Sequence, residues 1–131
     1  MLGFVFLLAP QFFYPFDAPS VPEKFLQKQN VRGMAVKHNG LLYTVNFKQQ
    51  NQLIDWFNSS QRLTKTGHEK TQTDIEKIII YQFNAPDIEV EPIVFENNVL
   101  IYSSPNWYSD GFLRETSAGS MKTLLSQTYD P

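Results

Sequence analysis

The chain has no cysteine. That excludes disulfides, thiolate metal sites, a cysteine nucleophile and lipid attachment through a cysteine thiol. It leaves the compartment open, since an exported domain with an adequate core can do without disulfides. Charge is also sparse: charged residues make up 18% of the 131 and the net charge is −2. No basic run is present, so the electrostatic footprint of a nucleic-acid binder is missing. There are only six glycines, and neither a P-loop nor a G-x-G-x-x-G pattern occurs. Serines are frequent, yet none sits in a G-x-S-x-G elbow. Cofactor-dependent chemistry has no support, and no cofactor is expected. No apolar run reaches the ~20 residues that a transmembrane helix needs.

Aromatics are abundant, with eleven Phe, six Tyr and two Trp. A β-rich core accounts for them first, since aromatic side chains favour strands. The length suits a single domain with a real core.

The most informative stretch is Met34 to Phe57. Asn39-Gly40 lies between two β-favouring runs, and both residues tolerate the positive φ of a type I′ hairpin turn. That turn sets His38 opposite Leu41, Val36 opposite Tyr43 and Met34 opposite Val45. Met34, Val36, Leu41, Tyr43 and Val45 then form one apolar face. Asn46 fits a helix N-cap with Gln49 three residues on. At 100° per residue, Phe47, Leu53, Ile54 and Phe57 fall within an arc of about 120° that faces a core. Gln50 lies inside that arc as a flaw, and Trp56 sits at its border. Asn58-Ser59-Ser60 ends the helix and also matches a glycosylation acceptor.

Residues 1–16 are almost wholly apolar or aromatic, interrupted by Pro10 and Pro15. The run Leu2 to Ala9 has the size of a secretory-signal core, but no basic residues precede it and the small-residue cleavage pattern is poor. A signal-like segment over 1–18 is the first reading, and a buried N-terminal segment is the other. Residues 19–30 read as a linker and residues 31–131 as one domain. The location expected is extracytoplasmic, with cytoplasmic as the alternative.

Residues 59–74 form a long polar loop. Ile75 to Phe83 is the strongest strand, with four successive apolar residues suggesting a strand covered on both faces. Ile88 to Glu96 alternates until Pro92, which predicts an edge position or a bulge. Asn97-Asn98 is a second tight turn, and Val99 to Tyr102 returns. Phe112 to Thr116 is a sixth strand. Ser120 caps a short C-terminal helix through Gln127, with Met121, Leu124 and Leu125 on one side. The last four residues are expected to fray. The order β-β-α-β-β-β predicts an α+β fold: a mostly antiparallel sheet with one helix on a face and a short C-terminal helix.

Four features bear on chemistry. His38 flanks the hairpin turn with no partner nearby in sequence. His68-Glu69, with Asp74 downstream, can in principle hold a metal or do acid-base work, but the spacing matches no helix-face pair. Asp87, Glu89, Glu91 and Glu96 alternate along one strand, as charges guarding an exposed edge do. The loop holding Asn106, Trp107, Tyr108 and Asp110 is the best binding candidate, because Trp and Tyr offer flat apolar faces with a polar handle. The rival reading of that loop is a Trp107 folded back into the core. The functional expectation is a small non-enzymatic binding domain, exported or membrane-facing, with a protein or saccharide partner. The alternatives are a hydrolase-like enzyme using His68, Glu69 and Asp74, and a structural subunit that associates through an edge strand.

Overall fold

The structure is a computed structural model that describes residues 25–63 and 70–130. Its strands are β1 (Val31–His38), β2 (Leu41–Thr44), β3 (Gln61–Leu63), β4 (Lys77–Gln82), β5 (Ile88–Glu96), β6 (Val99–Ser104) and β7 (Tyr108–Arg114). Its helices are α1 (Phe47–Asn58) and α2 (Ser120–Tyr129), and a 3₁₀ turn, Lys28–Asn30, leads into β1. All seven strands form one antiparallel sheet in the order β2-β1-β4-β5-β6-β7-β3. The fold is α+β, as the residue pattern predicts. One strand goes beyond the six expected, β3, inside the stretch read as loop; the expected sixth strand is β7, which begins at Tyr108 and not at Phe112.

The hairpin forms in the anticipated register. Val36 faces Tyr43 and His38 faces Leu41. Asn39 and Gly40 both take positive φ, 51° and 79°. Asn97 and Asn98 do the same at the β5–β6 turn, with φ of 54° and 69°. Asn is the side-chain-bearing residue that best tolerates this conformation, which explains its place in both turns.

One face of the sheet carries both helices. Strand alternation sends Met34, Val36, Ile78, Ile80, Val90, Leu100, Tyr102 and Leu113 to that face. Leu53, Ile54 and Phe57 of α1 and Met121, Leu124 and Leu125 of α2 close over them. The other face is mixed: Ala35 and Ile101 are buried, while Lys77–Glu89 (3.0 Å) and Lys70–Glu91 (3.3 Å) pair across it.

Several expectations change. β5 is an interior strand, not an edge, so its acidic residues guard nothing; Glu89 and Glu91 engage lysines instead. Pro92 is accommodated by the bulge that shifts register between Pro92 and Val94. In α1, Asn46 does accept from the Gln49 N–H at 2.8 Å, yet the buried stripe is Gln50, Leu53, Ile54 and Phe57. Phe47, assigned to the core, is 73% exposed. Its angle is only about 20° outside the buried arc; what exposes it is its place in the first turn. In α2 the N-cap is Gly119, not Ser120, and it is Ser117 Oγ that accepts from the Met121 N–H at 2.9 Å. Nor do all of the last residues fray, since Tyr129 ends α2 stacked on the His38 ring at 3.7 Å and 11°.

Tyr102 crosses the core and is fully buried, its hydroxyl donating to Ser60 Oγ at 2.5 Å. Ser60 passes its own hydrogen to the Trp56 carbonyl at 3.2 Å. Burial pushes the Tyr102 phenol well above its ordinary 10.0, the Ser60 bond opposes this, and the Glu115 carboxylate adds to it. The unfolded phenol ionises near pH 10 while the folded one stays neutral. Its contribution to stability is therefore complete below about pH 10 and falls by about 1.4 kcal/mol per pH unit above it. Denaturant melts at rising alkaline pH should show a shallower decline for Tyr102→Phe than for the parent. Equal slopes would refute the assignment.

Candidate binding surfaces

The aromatic loop is built as a clasp. The Trp107 N–H donates to the Ser104 carbonyl at 2.9 Å and closes a tight turn between β6 and β7. Asn106 then spans the gap to β5: Nδ2 donates to the Asp87 carbonyl (2.5 Å) and Oδ1 accepts from the Glu89 N–H (3.3 Å). Its amide thus supplies the contacts that a neighbouring strand would. Trp107 is 8% exposed, and its indole meets Phe57 edge-on at 6.3 Å and 83°. Tyr108 is also buried, with the Arg62 guanidinium 5.4 Å from its ring centre. Asp110 lies further along β7.

Of the four residues singled out from sequence, Asn106 and Trp107 meet at one surface. With Phe25, Leu26, Pro86 and Ile88 they wall an apolar cleft of about 310 Å³. Leu26 is held there by Asn58, whose Oδ1 accepts from the Leu26 N–H (2.7 Å) and whose Nδ2 donates to its carbonyl (2.8 Å).

His68 and Glu69 lie outside the described residues. Asp74 is described, and its carbonyl lies 2.7 Å from His38 Nδ1. A carbonyl only accepts, so Nδ1 carries the hydrogen and Nε2 is left to accept from Asn39 Nδ2 at 3.2 Å. His38 therefore has partners, brought from Asp74 and Tyr129 by the fold. The Tyr129 hydroxyl is held above its usual pKa by burial first, then by the charges of Asp74 and Asp130. Among the described residues, no group of three His, Asp or Glu side chains is placed to hold a metal ion. Among them, too, no helix is long and apolar enough to cross a membrane.

A second surface is the β2 edge. The Val45 N–H donates to the Met34 carbonyl at 2.9 Å, which makes that pair a hydrogen-bonded one. Alternation then makes Val36–Tyr43 and His38–Leu41 hydrogen-bonded pairs as well. Leu42 and Thr44 accordingly turn their N–H and C=O groups away from β1, at the outer margin of the sheet. The strand, Leu-Leu-Tyr-Thr, carries no charge, and the Leu42 side chain is 53% exposed. The strand itself holds neither the lysine nor the proline that commonly protects an edge.

A third surface adjoins it. Phe47 and Phe83 stand on a groove of about 580 Å³ that Gly33 and Val45 also line, with Lys28 and Arg32 among its walls. Phe83 is 61% exposed. Periodicity missed both residues, because it identifies a face and not where the covering layer stops. The interrupted stripe at Gln50 was the available signal that α1 seats differently. A scan against protein-family models found no match for this chain, and comparison with curated proteins and with solved structures gave none either.

Proposed function

We propose that this chain is a non-enzymatic interaction domain, exported or membrane-facing, that takes a protein partner as an added strand along β2. The observation that carries this is the outward-turned backbone of Leu42 and Thr44 on an uncharged, apolar edge. Extended segments bind such edges through main-chain hydrogen bonds, with alternate side chains supplying selectivity. The cleft beside Asn106 and Trp107 is a separate apolar surface. It is a weaker fit to a saccharide, because the Asn106 amide is already engaged at both ends. The apolar start of the sequence supports an exported or membrane-facing setting.

Thr44→Pro tests the edge. The Thr44 N–H points away from β1, so proline there blocks an added strand and spares the internal ladder. A photoreactive residue at position 42 should yield a cross-link mapping to an extended apolar segment of one protein. Thr44→Pro should remove that adduct at least tenfold while leaving the melting temperature nearly unchanged. An adduct that persists in Thr44→Pro, or none in the parent, would overturn strand addition.

A further inference from the structure

We propose that Asn39 is a site of self-modification. The Gly40 backbone nitrogen displaces the Asn39 side-chain amide, with the Glu76 carboxylate as base, and water converts the resulting ring to aspartate and isoaspartate. This goes beyond strand addition at β2 and does not rest on it.

Asn39 is the one asparagine in the chain followed by glycine. Glycine matters because the attacking atom is its backbone nitrogen, and a side chain on that residue crowds the approach. A Cβ placed on Gly40 would meet nothing within 4 Å, so the space around the turn is open to water. Both turn residues are exposed. They lie outside the strand ladder, whose last pair is His38–Leu41. The Gly40 N–H donates instead to Glu76 Oε2 at 3.2 Å. Glu76 is kept there by its own N–H, which donates to the Lys37 carbonyl at 2.8 Å. A carboxylate thus sits on the proton that the nucleophile must lose. The departing group is held as well. Asn39 Nδ2 donates to His38 Nε2 at 3.2 Å, and the His38 ring is fixed by the Asp74 carbonyl and the Tyr129 stack. Nucleophile, base and leaving group meet at one exposed turn.

The Glu76 carboxylate takes the Gly40 proton as the bond from Gly40 nitrogen to Asn39 Cγ forms. The Cγ–Nδ2 bond breaks, and the proton passes through water to the departing nitrogen, which leaves as ammonia. The product is a cyclic imide. Water added at Cγ opens it to aspartate; water added at the main-chain carbonyl opens it to isoaspartate, whose chain runs through Cβ. Both products set a new carboxylate beside Glu76. Isoaspartate also adds a backbone atom to a turn whose length sets the register of Leu41 to Thr44. The Asn97-Asn98 turn is the internal control. It has the same positive φ, but the residue after Asn97 carries a side chain, and Asn98 Oδ1 accepts from Lys122 Nζ at 3.0 Å.

The full chain, incubated at neutral pH and then digested, should gain about 1 Da at Asn39, with fragmentation separating aspartate from isoaspartate. Asn39 should convert severalfold faster than Asn97 or Asn98. Glu76→Gln keeps an oxygen to accept the Gly40 N–H but removes the base, so conversion should slow about tenfold. Glu76 is exposed, and the variant should melt with the parent. The pH profile separates a base from a structural contact. The parent rate should level off once the carboxylate is ionised, whereas the Glu76→Gln rate should keep rising with hydroxide. An Asn39 that stays intact in the folded chain while converting in the urea-unfolded chain would overturn the site, because the turn would then be protecting it. Equal rates and equal pH profiles in the parent and Glu76→Gln would overturn the role of Glu76. Conversion at Asn97 or Asn98 as fast as at Asn39 would overturn the selectivity for the glycine turn.

Discussion

Phe57→Ala should lower the unfolding free energy by about 4 kcal/mol, the largest single loss expected from the helix side of the core. Phe57 is fully buried, and it is where α1 meets the sheet and the β6–β7 turn together. Its ring meets Tyr102 edge-on at 5.5 Å and 77°, and Trp107 at 6.3 Å and 83°. Truncation removes the transferred apolar area and leaves a void that two large aromatics cannot both collapse into. Each edge-to-face pair contributes about 0.5–1.5 kcal/mol beyond area. Urea denaturation of the parent and the variant measures the loss directly, and a loss below about 1 kcal/mol would show that the three rings do not pack as described. Because Trp107 depends on Phe57, its fluorescence should move toward that of a solvated indole.

Glu115→Ala should cost about 3 kcal/mol, a large effect for a residue on no helix and just past a strand end. Its carboxylate is almost completely buried and accepts from the Ser117 N–H (2.5 Å), the Ser117 hydroxyl (2.7 Å) and the Leu100 N–H (3.4 Å). Ser117 in turn holds the first turn of α2 through the Met121 N–H. One side chain thus ties β6 to the turn that launches the C-terminal helix. Removing it strands two backbone donors and frees Ser117, so the penalty exceeds that of one lost hydrogen bond. Glu115→Gln keeps an acceptor and should recover about half of the loss, whereas Ser117→Ala should cost about 1 kcal/mol, as for a lost N-cap. Thermal and urea melts of the three variants check this ranking. A Glu115→Ala protein as stable as the parent would refute the network.

What could be read from sequence was local. Asn39-Gly40 and Asn97-Asn98 specify their turns because positive φ is a property of the residue and its neighbours. Once the first turn is placed, the period of two assigns Met34, Val36 and Tyr43 to one face without reference to the rest of the chain. Asn46 caps α1, and Leu53, Ile54 and Phe57 face inward, by the same short-range logic. Periodicity says which face a residue is on; it does not say what lies beside that face or where the covering layer ends. Ile88–Glu96 therefore resembled an edge, yet tertiary pairing placed it inside the sheet, where Pro92 needs a bulge and Glu89 and Glu91 find lysines. Phe47 shares an angle with core residues and projects past them. Trp107, Glu115 and His38 acquire their roles from Phe57, Leu100, Asp74 and Tyr129, partners that only chain folding brings within reach. The candidate surfaces divide in the same way. Trp107 was visible as a residue type, but its burial is a tertiary outcome. The Leu42–Thr44 edge and the Phe47–Phe83 end exist only because the sheet stops there.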